Sequence, residues 1–187
     1  MATYYNITGS VTEVITLEQA KQQLRIDPIV VHEDAEIEAY ITEAREIAEN
    51  YIGRLIGERN LEVRSSGFIT KINAAYTPIN SIDSIKAKLD GGTTQTLVAN
   101  TDFSLQNLSK TKQRIVYVDK NLGALDTIFA TPVTVIAKVG FNTTNCPKAI
   151  ISAMKLILSR LYEFRTDNAQ EKTLASTNIL RAYKSWS

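Results

Sequence analysis

The sequence predicts an α+β protein with an amphipathic helical core of about four helices and an antiparallel β-rich insertion between the second and third helices. Two observations indicate this class. In residues 34–56 and 147–165, apolar side chains recur every three or four positions and therefore line one face of a helix. Between residues 59 and 140 the apolar period changes to two, which is typical of strands.

The N-terminal part is predicted to contain an arm and a short helix. Residues 1–15 are polar and β-branched, and we expect them to form a loosely held arm. A helix follows at 17–25, because Thr16 and Gln19 have the spacing of a capping box. Pro28 lies just beyond it, and the residue before a proline avoids the helical region.

The second predicted helix spans residues 34–56. Acidic residues near its start suit the positive end of the helix dipole, and Gly57 is a suitable stop. Residues 16–57 thus form the first helical segment. The apolar stripe of this helix, which we expect to face the core, consists of Ile37, Tyr40, Ile41, Ala44, Ile47, Ala48, Tyr51, Ile52 and Leu55.

The predicted β-rich insertion occupies residues 58–142. Its clearest turn is the Asp-Gly-Gly run at 90–92, because these residues tolerate the positive φ that tight turns demand. This turn predicts a hairpin that joins 85–89 with 95–98. The strand candidates are Leu61 with Val63, Ile82, 85–89, 115–118 and 133–139.

The third predicted helix spans residues 146–165 and opens with Cys146 and Pro147. A proline at the first helical position loses only an amide that would be unpaired anyway. Burying each large apolar side chain contributes about 1.5–3 kcal/mol, so we expect this helix to pack on the second one. Its apolar stripe consists of Ile150, Ile151, Met154, Ile157, Leu158, Leu161 and Tyr162.

The composition is that of an ordinary globular chain, with 187 residues, 44% hydrophobic and 22% charged, and we expect one connected domain over 1–187. The single cysteine, Cys146, excludes an internal disulfide and a cysteine-rich zinc cluster. Residues 1–10 lack a signal-peptide pattern, and no stretch approaches the about 18 apolar residues of a membrane span. The net charge of +1 predicts no general attraction to nucleic acid.

The sequence carries no strong catalytic pattern. It has no Gly-rich phosphate loop, no His-Glu-x-x-His motif, no Gly-x-Ser-x-Gly elbow and no dinucleotide fingerprint. His32 is the only histidine, which leaves Cys146 as its one candidate partner for a Cys-His pair. We predict that the protein is not an enzyme and holds no cofactor or metal. A run of acids imitates a carboxylate cluster, but the helix dipole alone explains it; the acids are Glu33, Asp34, Glu36 and Glu38.

Five segments occur in an order that resembles the head-to-tail connector (adaptor, or head completion) proteins of tailed bacteriophages. The resemblance extends over roughly residues 15–165 and depends on the ordered set rather than on any one piece. The segments are ITLEQAKQQLRI at 15–26, ENYIGR at 49–54, TPINSIDSI at 77–85, VGF at 139–141 and CPKAIISAMKLILSRLYE at 146–163.

This resemblance implies a structural protein of the virion neck that is made in the host bacterial cytoplasm. Copies would form a homo-oligomeric ring, twelve-fold to match the portal protein, under the DNA-filled head. The ring would extend the channel for DNA and offer a platform to the next neck or tail-completion protein. A rigid helical body without chemistry is what such a ring subunit requires.

The C-terminal segment, residues 166–187, is the expected docking segment. Tryptophan and tyrosine dominate interface hot spots, and the resemblance implies that the C-terminal region grips the portal. The alternative is a final helix that folds back on its own domain. The predicted docking residues are Leu174, Ile179, Leu180, Tyr183 and Trp186.

A second candidate contact involves Lys110, Lys112 and Arg114, in a polar loop before the strand at 115–118. These cations point at DNA in the channel or belong to the solvated surface. Two rival functions stay open: a DNA-packaging accessory protein that binds nucleic acid directly, and a hydrolase that uses scattered carboxylates.

Overall fold

The computed structural model of the chain describes residues 2–109, 112–117, 124–126, 128–164 and 175–184. Within these ranges it contains four α-helices and antiparallel β-sheets, so the predicted α+β class is confirmed. No helix in the described part combines the length and the apolar composition needed to cross a membrane.

The chain forms two compact units. The helical unit is Thr12–Gly57 with Phe141–Ser187, and the sheet unit is Met1–Val11 with Glu58–Gly140. The helices of the first unit are α1 (Leu17–Leu24), α2 (Asp34–Ile52), α3 (Lys148–Glu163) and α4 (Ala175–Arg181). The strands of the second are β1 (Thr3–Thr12), β2 (Glu58–Ser65), β3 (Ile79–Lys88), β4 (Thr94–Leu97), β5 (Phe103–Ser109), β6 (Lys112–Tyr117) and β7 (Val133–Val139), with a 3-10 turn at Ala74–Tyr76.

The core of the helical unit is built from the stripes that the sequence predicts. α2 packs against α3, and α1 and α4 contact both of them. All four helices contribute to the same buried cluster, which also includes residues that flank them. Its members are Val14, Ile15, Ala20, Ile37, Ile41, Ala44, Ala48, Ile52, Ile56, Phe141, Cys146, Ile150, Ala153, Met154, Ile157, Leu158 and Leu180.

Local signals at the helix ends are partly as predicted. Thr16 Oγ1 accepts from the Gln19 amide at 3.2 Å, and Gln19 Oε1 accepts from the Thr16 amide at 3.4 Å, which confirms the capping box. The predicted end of the second helix at residue 56 is wrong. Gly53 adopts a left-handed φ of 68° and its N–H binds the carbonyl of Glu49, so α2 stops after Ile52.

Two details of the predicted stripes also differ. Ile47 lies on the outer face of α2 and is 41% exposed, and Leu55 lies beyond the end of the helix. Pro147 takes the N-cap position of α3 rather than its first helical position.

The main sheet has the strand order β1-β2-β7-β3-β4, and β5 pairs with β6 in a separate two-stranded sheet. In the main sheet, Leu61 lies opposite Ala137, and Val63 lies opposite Val135, which in turn lies opposite Ile85. All five side chains are fully buried on one face of the sheet, which explains the period-two pattern.

The predicted hairpin is confirmed, because β3 and β4 pair antiparallel around the turn at 90–92, with Lys88 opposite Thr94. Gly91 and Gly92 both have positive φ, 87° and 81°, as the turn requires. The strand candidate at 133–139 coincides with β7. β5 has no counterpart among the predicted strands.

The first residues differ from the expected loose arm, because Thr3–Thr12 form β1 at the edge of the main sheet. Thr3 Oγ1 and Ser65 Oγ lie 3.3 Å apart, and the Ser66 amide donates to the Ala2 carbonyl at 3.1 Å. The Tyr5 and Tyr76 rings stack with centroids 4.9 Å apart. Backbone pairing and this stacking hold the segment in place. The pattern of apolar residues predicts neither of them.

Candidate interaction surfaces

The structure describes three of the five predicted docking residues, and all three contact the core of the helical unit. Leu180 is fully buried in the core of the helical unit, and Ile179 and Tyr183 are half-buried and pack against that core. Lys184 Nζ lies 5.5 Å from the centroid of the Tyr51 ring. Leu174 and Trp186 lie outside the described residues. The described part of α4 thus folds back on its own unit, which is the alternative that the sequence left open.

Of the three cations predicted to face DNA, the structure describes the side chain of Arg114 alone. Lys110 lies outside the described residues, and only the backbone of Lys112, the first residue of β6, is described. Arg114 is exposed, opposite Gln106 of β5.

The neighbour of this cation, Gln113, joins the two-stranded sheet to β3. Gln113 Nε2 donates to the Ile79 carbonyl at 2.8 Å, and Gln113 Oε1 accepts from the Ile79 amide at 2.5 Å. In the same segment the Tyr117 hydroxyl donates to the Ile69 carbonyl at 2.9 Å, and burial raises the pKa of Tyr117 to about 12. The residues around Arg114 therefore stabilise the sheet unit.

His32 and Cys146 are unsuited to act as a catalytic pair. The His32 side chain is 75% exposed, and its Nε2 lies 3.4 Å from Glu33 Oε1. Cys146 is buried in the helical core, and that burial raises the pKa of its thiol to about 12. A thiol with this pKa stays protonated near neutral pH and is a poor nucleophile.

The acids at the start of α2 hold structural contacts. Glu33 Oε2 accepts from the Tyr162 hydroxyl and Glu36 Oε1 accepts from the Tyr40 hydroxyl, both at 2.7 Å. Glu38, the last of the four, is exposed. Among the described residues, no group of three or more His, Cys, Asp or Glu side chains could hold a metal ion. These contacts support a structural role for the acids rather than a metal or catalytic one.

A buried lysine organises the segment between α1 and α2, and no sequence pattern predicts it. Lys21 Nζ lies 2.5 Å from Asp34 Oδ1 and donates to the carbonyls of Val30, at 2.7 Å, and Pro28, at 3.3 Å. The Lys21 side chain is 5% exposed. This contact holds in place the segment between α1 and α2. Ile29 lies in that segment and is 85% exposed.

A second buried cation, Arg45, ties α2 to the segment before α1. Its Nε donates to Glu13 Oε1 at 2.9 Å, and its Nη1 donates to Glu49 Oε2 at 3.2 Å. Burial acts to lower the pKa of Arg45, but the hydrogen bond and charge of Glu13, with the charges of Glu49 and Glu46, outweigh it and raise the pKa. Charged positions in an otherwise apolar helical stripe are the signal that predicts such a contact.

The exposed faces of the helical unit also carry a charge pattern. α2 exposes Glu38, Glu43 and Glu46, whereas α3 exposes Lys148 and Arg160 and one acid, Glu163, at its last residue. The two long helices therefore present opposite charge to solvent.

The fold is α+β, and its titratable groups, where described, mainly hold contacts within the fold. The model of the phage gp6-like head-tail connector protein family matches residues 14–108, more than half of the chain. The chain therefore belongs to the phage gp6-like head-tail connector family. No curated protein matches it in sequence.

Solved structures with the same fold come from gene transfer agent particles. A chain of the native particle's virion is similar with a TM-score of 0.73, and chains of the neck of the empty particle and of the native particle have TM-scores of 0.70 and 0.68. The neck structures were computed with C6 symmetry for the empty particle and C12 symmetry for the native one. Each chain is 16% identical to this one, and each match covers 98% of this chain and 96% of the other. At this identity the likeness shows the fold.

Proposed function

We propose that this protein is the structural adaptor of a phage-like neck, where copies form a ring under the portal. The ring extends the DNA channel, gives the next neck or tail-completion protein a platform, and has no enzymatic activity. The proposal is based on membership of the connector family. It is supported by the fold that 98% of this chain shares with chains from the neck of gene transfer agent particles. The protein would be made in the host cytoplasm and act as one connector domain over 1–187.

The ring is proposed to close with twelve subunits, because a similar chain occurs in a neck computed with C12 symmetry. A ring needs a head-to-tail interface whose rotation closes. We propose that loops of the sheet unit face the next neck protein.

The C-terminal segment is proposed to attach the ring to the portal. Because Leu180 and its half-buried neighbours serve the core, docking falls mainly to exposed parts of the segment and to Leu174 and Trp186. Trp186→Ala is expected to leave the thermal unfolding temperature unchanged and to lower portal binding. Ile179→Ala, on the half-buried side of α4, is the control for indirect effects through the core. Unchanged portal binding by the folded Trp186→Ala variant would argue against this attachment.

The channel contact is proposed for Lys110, Lys112 and Arg114. Replacing all three with Gln is expected to reduce the retention of DNA in assembled particles, because the wall would lose positive charge near the phosphates. If retention is unchanged in particles that carry the variant ring, these cations do not face the DNA.

The deciding experiment is co-sedimentation of the purified full chain with tailless capsids of its own particle, followed by imaging of the portal vertex. A collar of density at that vertex is the expected result. A folded chain that leaves the vertex bare would refute portal docking. In that event, strong salt-dependent affinity of the chain for duplex DNA would favour the DNA-packaging alternative.

A further inference from the structure

Two faces of the helical unit have complementary charge. The acidic face comprises the exposed residues of α2, and the basic face comprises the exposed residues of α3 together with the half-buried Lys155. The acidic face is Ala35, Glu38, Ala39, Glu43, Glu46, Ile47 and Asn50. The basic face is Lys148, Ser152, Lys155, Leu156, Arg160 and Glu163.

The charges on each face are nearly of one sign. The acidic face has three glutamates and no cation, because the one arginine of α2, Arg45, is buried. The basic face has three cations and one acid, Glu163, at the last residue of the helix. A net charge of +1 for the whole chain therefore conceals two local fields of opposite sign.

Each face also exposes one large apolar side chain. Ile47 on the acidic face is 41% exposed, and Leu156 on the basic face is 42% exposed. Interfaces place apolar contacts inside a polar rim, so an aliphatic side chain among charges suits a contact surface. The faces also match in length, about 28 Å for α2 and about 24 Å for α3 at about 1.5 Å per residue.

The two faces point away from the core that their helices share. Ile41 of α2 and Met154 of α3 are buried in the same cluster, and on each helix the exposed stripe lies opposite the buried one. One copy of the chain therefore cannot bring its own faces together. Two copies can do so, with the acidic face of one against the basic face of the other.

We propose that the acidic face of α2 in one copy packs against the basic face of α3 in the next copy, and that this contact joins neighbouring subunits of the ring. The partner is a second copy of this chain, because each face has the charge complementary to the other. Pairing like faces would oppose acids with acids, which disfavours a symmetric two-fold dimer. Pairing unlike faces is head-to-tail and produces a ring when the rotation closes.

The proposal rests on the adaptor function proposed above, and a charge swap tests it separately. One variant carries Glu38→Lys with Glu43→Lys, and a second carries Lys148→Glu with Arg160→Glu. Each is expected to lower collar formation on tailless capsids at least about tenfold, because like charges then meet at every subunit contact. The variant with all four changes restores opposite charges across the contact and is expected to recover collar formation to within about threefold of the wild-type chain.

Controls separate assembly from folding and from the wider proposal. Glu18→Lys reverses an exposed acid of α1 outside both faces and is expected to form collars normally. Circular dichroism and thermal unfolding of each purified variant verify that it is folded. If the wild-type chain forms collars and the folded two-site variants form them equally well, the contact is refuted while the adaptor function stands.

Two other results are equally decisive. If the folded four-site variant fails to recover, the pairing of these two faces is refuted. If the wild-type chain itself forms no collar, the adaptor function fails and this contact fails with it.

Discussion

Replacing Leu180 by alanine separates a core role for α4 from a docking role. Leu180 is fully buried, and the substitution removes three carbon groups from the helical core. At about 0.8 kcal/mol for each group, the lost burial alone is worth about 2.4 kcal/mol. The cavity left behind adds to this, so the expected loss of unfolding free energy is about 2.5–5 kcal/mol.

Thermal and urea unfolding of the purified chain measure this loss. For a chain of this size it corresponds to a fall in Tm of roughly 5–20 °C. Ile179→Ala removes a half-buried side chain of the same helix and is expected to lower Tm by a smaller amount. Below its Tm, the folded Leu180→Ala variant is expected to bind portal vertices normally. A normal Tm combined with lost portal binding would refute the core assignment and restore Leu180 to the docking surface.

Three further predictions concern buried polar groups. Lys21→Met leaves two carbonyls and a carboxylate without their ammonium partner. Urea unfolding is therefore expected to show a loss of about 1.5–3 kcal/mol in the free energy of unfolding. An equal loss in the exposed control Gln22→Met would contradict this. Burial raises the folded-state pKa of Tyr117 to about 12 from 10.0, so its neutral form contributes stability that is complete below pH 10 and is lost as the pH rises towards 12. Tyr117→Phe is expected to flatten that part of the stability profile, and an unchanged slope would oppose it. With its thiol pKa raised to about 12, Cys146 is expected to react with an alkylating reagent at pH 8 at least about 100-fold more slowly in the native chain than in urea, and equal rates would show that the thiol is accessible.

The helical part of the fold was predictable because burial imposes its period on the sequence. The stripe of α3 and most of the stripe of α2 were predicted from spacing alone. Ile47 fits the same three- and four-residue steps, yet it lies on the exposed face of α2. The spacing of apolar residues predicts which of them share one face of a helix. It cannot show that neighbouring side chains already fill the core at one of those positions.

The edge strand β1 was missed for the opposite reason. Its side chains are mostly exposed, including Tyr4 at 63%, so no buried face imposes an alternating pattern. An edge strand is held by backbone pairing, and backbone groups are the same for every residue type except proline. Gly53 and Gly57 both have positive φ, and the end of α2 depended on which of them is the C-cap. Gly53 is, four residues before Gly57.

The candidate sites were harder to predict than the fold. The apolar residues of the tail are evident in the sequence, but only packing distinguishes a core residue such as Leu180 from a docking residue. The role of Lys21 depends on carbonyls seven and nine residues away, which only the folded segment between α1 and α2 brings close.

The division of the helical unit along the chain affects how the protein is made. α2 ends at Ile52 and α3 begins at Lys148, and a ribosome that adds about 5–20 residues per second needs on the order of 5–20 s to synthesise the stretch between them. During that interval the apolar stripe of α2 lacks the helix that covers it in the finished core. Chains released before Lys148 are therefore expected to aggregate, and the soluble yield depends on how soon the C-terminal helices follow.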